Sequence, residues 1–370
     1  MQLQKQLLSR KFTILNASSE MINREIIRIK IVQLTYAYYQ NGNKNIDSAE
    51  KELFFSLSKA YDLYNYLLAL IVAVTKEAGR RNEVLQARAQ REGTPMPSQK
   101  FVLNRFALQL SENKTLMEFM ETQKFSWADN DIFLGQLLEH IEASAIYQEY
   151  MASTDDNYET DRELWRKLYK TFITENSDLD AILEEISLYW NDDKEIVDTF
   201  VVKTIKRFHE QEGPKQELLP EWDSDEEKDF ARKLFRAAIL NADQYQRFMS
   251  EASRNWDFSR LAYMDVILMQ IAIAEMMTFP NIPINVTINE YVELAKLYST
   301  RKSGGYINGM LDAIARNLIK TGRLMKHMEP KSPKEKGVST SEGNEFPQGR
   351  PVKMRHRIKK GPADGDNKKD

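Results

Sequence analysis

Apolar residues recur at intervals of three and four positions through most of this chain, which is the period of one face of an α-helix. The first clear stripe is formed by Ile22, Ile26, Ile29, Leu34 and Tyr36. It predicts a helix over residues 22–40, which turn residues at 41–43 bring to an end. A second segment, rich in leucine and aromatic residues, predicts a helix over Ser48–Ala78, followed by a basic loop at Arg80–Pro97.

Residues that break helices are scarce in the next stretch, because Ser98 to Glu212 contains no proline and one glycine, Gly135. We therefore expect four or five further helices there. They are predicted at Phe101–Gln109, Lys114–Gln123, Asp131–Ala152, Asp161–Thr174 and Asp178–Phe208, the last with a break near residues 191–193. A linker containing Pro214 and Pro220 leads to an acidic run that opens the following helix.

Two prolines, Pro280 and Pro283, end the apolar segment that precedes them, because proline lacks the amide hydrogen that a helix interior needs. Thr287 and Glu290 then have the spacing of a capping box, in which each side chain bonds the backbone amide of the other residue. The sequence therefore predicts that the next helix begins at about Ile288.

A polar loop, Arg301–Gly305, separates this helix from the last one. The buried face of the last helix is predicted to consist of Ile307, Met310, Leu311, Ile314 and Leu318. Gly322 is expected to end the helix, since glycine readily adopts the left-handed conformation of a helix C-terminus. Gly309 is expected to serve close packing.

Composition supports an all-α fold and separates the body of the chain from its end. Five of the 11 prolines follow Met328, where large apolar side chains are few, so we expect residues 328–370 to be a disordered tail. This tail carries 11 Lys and Arg against seven Asp and Glu, a net charge of +4, which leaves −7 for residues 1–327 of the total of −3. Bulk charge therefore excludes general nucleic-acid binding by the body, and any RNA contact must be a local patch.

The residues that commonly carry catalysis or bind metals are missing or badly placed. The chain has no cysteine, which excludes disulfides, thiolate zinc sites and cysteine nucleophiles and is typical of a reducing cytoplasm. Its four histidines form no metal-binding motif, and no glycine-rich phosphate loop or serine elbow occurs. Glu139, His140 and Glu142 could suggest a metal site, but adjacent helix positions point apart, which favours a solvated face.

We therefore expect a protein that is not an enzyme and needs no metal or cofactor. The apolar stretch Leu261–Met277 contains Asp265, Gln270 and Glu275 and is short for a membrane span, so a buried helix is expected. No secretion signal is recognisable at the N-terminus. These observations favour a cytoplasmic location.

Several strings in the C-terminal third resemble one known family. Residues 286–296 are Val-Thr-Ile-Asn-Glu-Tyr-Val-Glu-Leu-Ala-Lys, and residues 306–312 are Tyr-Ile-Asn-Gly-Met-Leu-Asp. Together with Trp-Asp-Phe-Ser-Arg-Leu at 256–261 and Asp-Val-Ile-Leu at 265–268, they resemble in order the C-terminal domain of the NusB transcription antitermination family. Residues 23–36 are similar to the first helix of that family.

The resemblance covers roughly Met21–Tyr39 and Asp225–Gly322, and it implies a NusB-like helical bundle with inserted helices. The family joins these two parts through one short helix, whereas this chain carries roughly 150 additional residues between them. We expect an N-terminal extension (1–20), NusB-like N-terminal helices (21–75), an inserted helical region (76–220), a NusB-like C-terminal helical domain (221–327) and the basic tail (328–370).

An RNA-binding surface is expected from cations on the first helix and from the loop before the last helix. The candidates are Arg24, Arg28, Lys30, Arg301, Lys302 and Tyr306. Cations can contact phosphate, glycine lets a strand approach the backbone, and an exposed tyrosine can stack on an unpaired base. The alternative is that Tyr306 belongs to the core and that the cations are ordinary surface charge.

The resemblance also implies partners. Members of the family pair with NusE, a ribosomal protein of the small subunit, and the pair binds the boxA element of nascent RNA beside transcribing RNA polymerase. Tyr36 and Glu275 match positions that the family uses on the NusE side. The resemblance therefore implies a transcription antitermination factor, acting chiefly on ribosomal RNA transcripts.

Two other functions are considered. A protein–protein scaffold that keeps the NusB fold without binding RNA is favoured by the thin arginine cluster of the first helix, where Glu25, Ile26 and Ile27 take places that are often basic in the family. The accessory domain of an RNA cytosine methyltransferase, which is also NusB-like, is opposed by the missing cysteine nucleophile and the missing βαβ cofactor-binding pattern.

Overall fold

All regular structure in the described part of the chain is helical, which confirms the expected all-α fold. The computed structural model describes residues 20–42, 45–252, 262–300 and 302–326. Residues 1–19, the string at 256–261 and the tail at 328–370 lie outside the described residues, so the expectations for them stay predictions.

The described residues contain fourteen α-helices. In chain order they are α1 (Arg24–Gln40), α2 (Ile46–Glu92), α3 (Arg105–Ser111), α4 (Lys114–Thr122), α5 (Asp131–Glu142), α6 (Ala145–Ala152), α7 (Tyr158–Leu168), α8 (Ser177–Ile186), α9 (Lys194–Arg207), α10 (Asp225–Leu240), α11 (Ala242–Ala252), α12 (Tyr263–Thr278), α13 (Ile284–Tyr298) and α14 (Ser303–Lys320). Short 3₁₀ segments lie at Trp127–Asn130, Leu188–Trp190 and Glu210–Lys215, and a π-helical turn at Tyr169–Ile173 continues α7.

Helix α1 is fixed at both ends by its own sequence. The side-chain oxygen of Asn23 accepts hydrogen bonds from the amides of Glu25 and Ile26 at 3.0 and 3.2 Å. Gly42 follows the helix with a φ of +59°, a left-handed conformation that glycine adopts without steric cost. The helix predicted at residues 22–40 is thereby confirmed. Most of α1 is buried, because it packs against α2, α10 and α12.

Helix α2 is longer than predicted. The loop expected at Arg80–Pro97 is wrong in its first half, because the helix continues to Glu92 and ends only at Gly93, whose φ is +67°. Ion pairs within one turn stabilise the added turns. They join Glu77 to Arg80 and Arg81 and Arg88 to Glu92, at 2.7, 3.1 and 2.9 Å.

This helix passes from the predicted N-terminal helices into the predicted insertion. The boundary between residues 75 and 76 falls within it, so the two regions share one continuous helix of 47 residues. Within the described ranges it is also the one helix long and apolar enough to cross a membrane by length and composition. However, 67% of its apolar window is buried inside the protein, and burial in a core accounts for its apolar character.

The inserted region packs around α2, which contacts α3, α4, α5 and α9. The single helix predicted at Asp131–Ala152 is instead two helices, because Ser144 caps α6 through a hydrogen bond from the amide of Tyr147 at 3.2 Å. The predicted break near residues 191–193 is confirmed, since the 3₁₀ segment at Leu188–Trp190 separates α8 from α9.

Helix α13 begins at Ile284 rather than at about Ile288. Its first turn closes on Pro283, whose carbonyl oxygen accepts a hydrogen bond from the amide of Thr287 at 3.2 Å. The predicted capping box is therefore wrong. Thr287 is buried inside the helix, and its hydroxyl donates to Glu275 of α12 at 2.9 Å.

Helix α14 also begins earlier than predicted, because Ser303 to Gly305 form its first turn instead of a loop. Its predicted apolar face is buried, and Gly322 follows it with a φ of +67°, which confirms the predicted end. A methyl group added at Gly309 would meet no described atom within 4 Å. The close-packing role expected for Gly309 is therefore wrong.

Candidate nucleic-acid interface

A fully buried carboxylate joins three helices of the C-terminal bundle. Glu275 of α12 has no exposed surface. Its two oxygens accept hydrogen bonds from the Arg28 guanidinium of α1 at 2.8 and 2.9 Å, from the Thr287 hydroxyl at 2.9 Å and from the Tyr291 hydroxyl at 3.1 Å. Arg28 also donates to Glu290 at 3.2 Å. The Arg28–Glu275 pair is bidentate and fully hydrogen-bonded, so both residues can remain charged away from water.

The protonation states in this cluster follow from burial and charge. Burial raises the pKa of the Tyr291 hydroxyl well above its ordinary value, and the neighbouring Glu275 raises it further, so Tyr291 remains a neutral donor. Burial also raises the pKa of Glu290, which the nearby Arg28 partly offsets. For Arg28 itself, burial is the largest influence and lowers the pKa, but the charge and hydrogen bonds of Glu275, together with Tyr291 and Glu290, raise the pKa above its ordinary value.

These positions contradict the surface roles expected for two residues. Arg28 was expected to contact RNA and Glu275 to contact NusE, but their side chains are 6% and 0% exposed. A buried guanidinium that is held by the fully buried Glu275 and the partly exposed Glu290 has to break those bonds before it can reach a phosphate. Arg28 and Glu275 therefore position α1 on the bundle.

Lys30, the third cation expected to bind RNA from α1, is buried as well. Its ammonium lies 2.6 Å from the Asp193 carboxylate and donates to the carbonyl oxygen of Tyr189 at 3.3 Å. The side chains of Lys30 and Asp193 are only 1% and 2% exposed. Burial raises the pKa of Asp193 to about 6, against the opposing attraction of Lys30. Lys30 thus ties α1 to the segment before α9 and is not on the RNA-accessible surface.

Arg24 keeps the exposed position that the prediction requires. Its guanidinium lies over the ring of Phe230 in α10, 5.1 Å from the ring centroid. This contact fixes the cation at the N-terminal end of α1 while the residue stays open to solvent.

The opposite end of α1 lies beside the start of α12. The rings of Tyr36 and Tyr263 pack edge to face with their centroids 5.9 Å apart, and Tyr263 is 46% exposed. In the same turn of α12, Asp265 accepts hydrogen bonds from the hydroxyls of Ser299 and Ser303 at 2.5 and 3.0 Å. The starts of α12 and α14 are thereby held together.

Lys302 therefore lies at the same end of the bundle as Tyr36, because it directly precedes Ser303. Lys302 is exposed, whereas Tyr306 is half-buried against the core, where burial raises the pKa of its hydroxyl. Arg301 lies outside the described residues.

The predicted RNA contacts are thus divided between two ends of α1. Arg24 stands at one end, and Tyr36, at the end of the bundle that also carries Lys302, follows twelve residues later at the other. At 1.5 Å per residue, these ends are roughly 18 Å apart along the helix. Any RNA that contacts both ends has to run along α1.

Sequence reasoning missed three residues of this region. Asp265 could have been recognised, because a carboxylate within an apolar helix needs buried donors. Tyr263 carries only the weak signal of an aromatic residue at a helix start. Nothing in the sequence identifies Asp193 as the partner of Lys30, since the two residues are far apart in the chain.

The described residues contain no group of three or more His, Asp or Glu side chains that could hold a metal ion. Glu139 and Glu142 instead lie 3.2 and 4.0 Å from the guanidinium of Arg81. The solvated-face interpretation of this segment is consistent with these surface ion pairs.

Known proteins are similar to the C-terminal part of the chain. The sequence model of the NusB family matches residues 199–316. The transcription antitermination protein NusB of Salinibacter ruber is 36% identical over 99 residues, which are 27% of this chain and 62% of that protein. The NusB proteins of Dictyoglomus turgidum and Chloroherpeton thalassium are 42% and 40% identical, over 26% and 27% of this chain and 66% and 47% of their own lengths. No solved structure matches the chain.

The chain thus spans about half to two thirds of the length of these curated relatives. Helix α1 lies outside the segment matched by the family model, yet it packs against α10 and α12 within that segment. The matched segment begins inside α9, before the domain start predicted at residue 221. The chain carries a NusB family domain at residues 199–316.

Proposed function

We propose that this chain is a transcription antitermination factor that binds boxA-type RNA together with the ribosomal protein NusE, on nascent ribosomal RNA beside transcribing RNA polymerase. The NusB family domain at residues 199–316 is the observation that carries this proposal, because its relatives are named transcription antitermination proteins. Helix α1 supports it, since the helix that is similar to the family's first helix is anchored on this domain by the Arg28–Glu275 pair.

The proposed RNA surface combines two exposed cations with one half-buried tyrosine. Arg24 supplies a cation at the start of α1, and Lys302 supplies one at the start of α14. The half-buried ring of Tyr306 lies one turn after Lys302, where an unpaired base could reach its edge. Arg301 is retained as a candidate from the sequence alone. A strand that touches both ends would contact few phosphates, which fits a factor that needs a second protein for affinity.

The proposed NusE surface is the aromatic pair formed by Tyr36 and Tyr263. The partly exposed rings offer the amphipathic contact area that is enriched at the centres of protein interfaces. Glu275 acts on this surface indirectly, by fixing α1 through Arg28. Because this surface shares one end of the bundle with Lys302, NusE and RNA can be bound side by side.

The decisive experiment measures RNA binding by fluorescence anisotropy at near-physiological salt, with and without NusE. The probes are a boxA-type RNA and a scrambled RNA of the same composition. We expect clear preference for the boxA-type RNA when NusE is present. Equal binding of the two RNAs in the presence of NusE would overturn the antitermination proposal.

A second candidate is a NusB-fold protein–protein scaffold that does not bind RNA. The burial of both Arg28 and Lys30 favours it, because this burial removes two of the three cations that α1 was expected to offer. A chain that binds NusE but shows no RNA preference in the same experiment would establish this alternative.

A further inference from the structure

A pocket of about 660 Å³ lies between α2 and the helices of the inserted region, outside the NusB family segment. Helix α2 forms its floor through Ala69 and Ala73, and α4 forms one wall through Met117 and Met120. Trp127, which is 2% exposed, closes the inner side. This volume is within the range of protein sites that hold small molecules.

Most of the lining is apolar and already fixed by the core. Leu110, Leu116 and Leu134 contribute to the walls and are 0%, 3% and 5% exposed, so three separate helices hold the shape of the pocket. The two methionines are the adaptable part of the wall, because an unbranched thioether side chain can follow the outline of a bound group. The pocket therefore suits an apolar chain or ring.

Four charged residues contribute to the lining, and only one of them lacks a counter-charge among the residues that the structure describes. Glu77 is 7% exposed and binds both Arg80 and Arg81, and these hydrogen bonds lower its pKa, so it stays ionised. The charge of Asp131 also acts on Arg80. Lys76 is exposed and makes no ion pair with any described residue.

We propose that this pocket binds a small amphiphilic monocarboxylate, with its apolar body between α2, α4 and Trp127 and its carboxylate paired with Lys76. A ligand with a single negative charge is favoured, because Glu77 and Asp131 belong to the same lining and repel further negative charge. The same repulsion disfavours a phosphate dianion or an RNA backbone. The site is therefore independent of the RNA and NusE surfaces proposed above.

Both ends of the chain are poor occupants of this pocket. Residues 1–19 contain Lys5, Arg10 and Lys11 and no acidic residue, and the tail at 328–370 has a net charge of +4. The unpaired cation of Lys76 repels such segments, so the ligand is expected to be a separate molecule.

Isothermal titration calorimetry of the full chain with decanoate, below its micelle concentration, tests the proposal. Decylamine and decyl phosphate serve as probes with the same chain and a different head group. We expect saturable binding of one decanoate per chain, with at least tenfold weaker binding of the other two probes. Equal or tighter binding of decylamine would overturn the role of Lys76, and tighter binding of decyl phosphate would overturn the preference for one negative charge.

Two variants locate the site on the pocket. Lys76→Ala should weaken decanoate binding about tenfold, whereas Lys51→Ala, an exposed lysine at the other end of the same helix, should leave it unchanged. Ala73→Trp should fill the pocket and abolish binding, and Ala87→Trp, beyond the pocket on α2, is its matched control. The proposal fails if the controls weaken binding as much as the pocket variants do. If Ala73→Trp does not fold, the comparison of Lys76→Ala with Lys51→Ala still tests the proposal.

Discussion

At the scale of single residues, the Arg28–Glu275 pair is the contact whose loss should cost the most. Glu275→Ala leaves the buried guanidinium of Arg28 with only the partly exposed Glu290 as its partner. We expect the free energy of unfolding to fall by about 3 kcal/mol or more, measured by urea denaturation. Glu293→Ala is the control, because this glutamate pairs with Lys296 at the surface, and it should cost less than about 0.5 kcal/mol. Equal costs would contradict the argument.

A substitution at Thr287 tests the buried hydrogen bond between its hydroxyl and Glu275. Thr287→Val removes the hydroxyl that donates to Glu275 at nearly constant side-chain volume, so we expect a loss of about 1 kcal/mol in the free energy of unfolding. In a chain that already carries Glu275→Ala, the same substitution should cost much less, because the acceptor is gone. Equal costs in the two backgrounds, measured by urea denaturation, would contradict the hydrogen bond between the Thr287 hydroxyl and Glu275.

These contacts show where sequence reasoning stops at this scale. Asp265 and Glu275 stand out as carboxylates within an apolar segment, which marks them as residues that need partners. The partner of Glu275 is 247 positions away in the chain, and no local pattern indicates it. Sequence reasoning therefore predicts Arg28 and Lys30 to be surface cations, although the fold supplies each with a buried counter-charge.

At the scale of elements, the periodic segments were predicted well and the ends poorly. The apolar stripes of α1 and α14 predict those two helices from local sequence, and the helix-breaking residues at 191–193 predict the start of α9. The last turns of α2 have no apolar stripe, since short-range ion pairs stabilise them instead, and hydrophobic periodicity cannot detect such turns. The start of α13 was misplaced because a buried tertiary acceptor, Glu275, takes the hydroxyl of Thr287.

A glycine inside α14 and a glycine just after its end should respond in opposite ways to the same substitution. Gly309 lies inside the helix with open space beside it, so Gly309→Ala should raise the free energy of unfolding by about 0.5–1 kcal/mol. Gly322 has a φ of +67°, where a side chain is strained, so Gly322→Ala should lower it by about 1 kcal/mol. Urea denaturation of both variants checks this pair. A shift in the same direction for both would refute the helix end assigned here.

The contact between α1 and the segment before α9 should depend on pH through Asp193. Burial raises its pKa to about 6, so between about pH 4 and pH 6 the folded chain retains a proton that the unfolded chain has released. The unfolded state then binds fewer protons, and this group's contribution to stability falls as the pH rises through that window.

Asp193→Asn removes this titration. The difference in unfolding free energy between the natural chain and the variant should therefore shrink between pH 4 and pH 7, by up to about 3 kcal/mol. Asp192→Asn is the control, because this neighbouring residue is exposed. Denaturation curves recorded across the pH range measure both differences, and a difference for Asp193→Asn that stays constant with pH would contradict the assignment.

At the scale of the whole molecule, a mildly acidic body limits the proposed RNA contacts to local exposed cations. Arg24→Ala and Lys302→Ala should each weaken boxA-type RNA binding in the presence of NusE and reduce the slope of log affinity against log salt by roughly 0.7 or less. Arg28→Ala should instead lower thermal stability, because its side chain is an internal support. Anisotropy titrations at several salt concentrations measure the slopes. An unchanged slope for both surface variants would place the RNA elsewhere.

The continuous course of α2 has a mechanical consequence for the whole molecule. A helix of 47 residues is a rod of roughly 70 Å, and it forms the floor of the pocket on the same element that packs against α1. No hinge residue interrupts this rod between the two regions, since glycine and proline are absent from Ile46 to Ala78. If the rod tilts or bends where it packs against α1, its contacts at the pocket must shift as well, and the reverse also holds. The insertion and the NusB family domain therefore share rigidity, and neither can open by a simple rotation about a flexible joint.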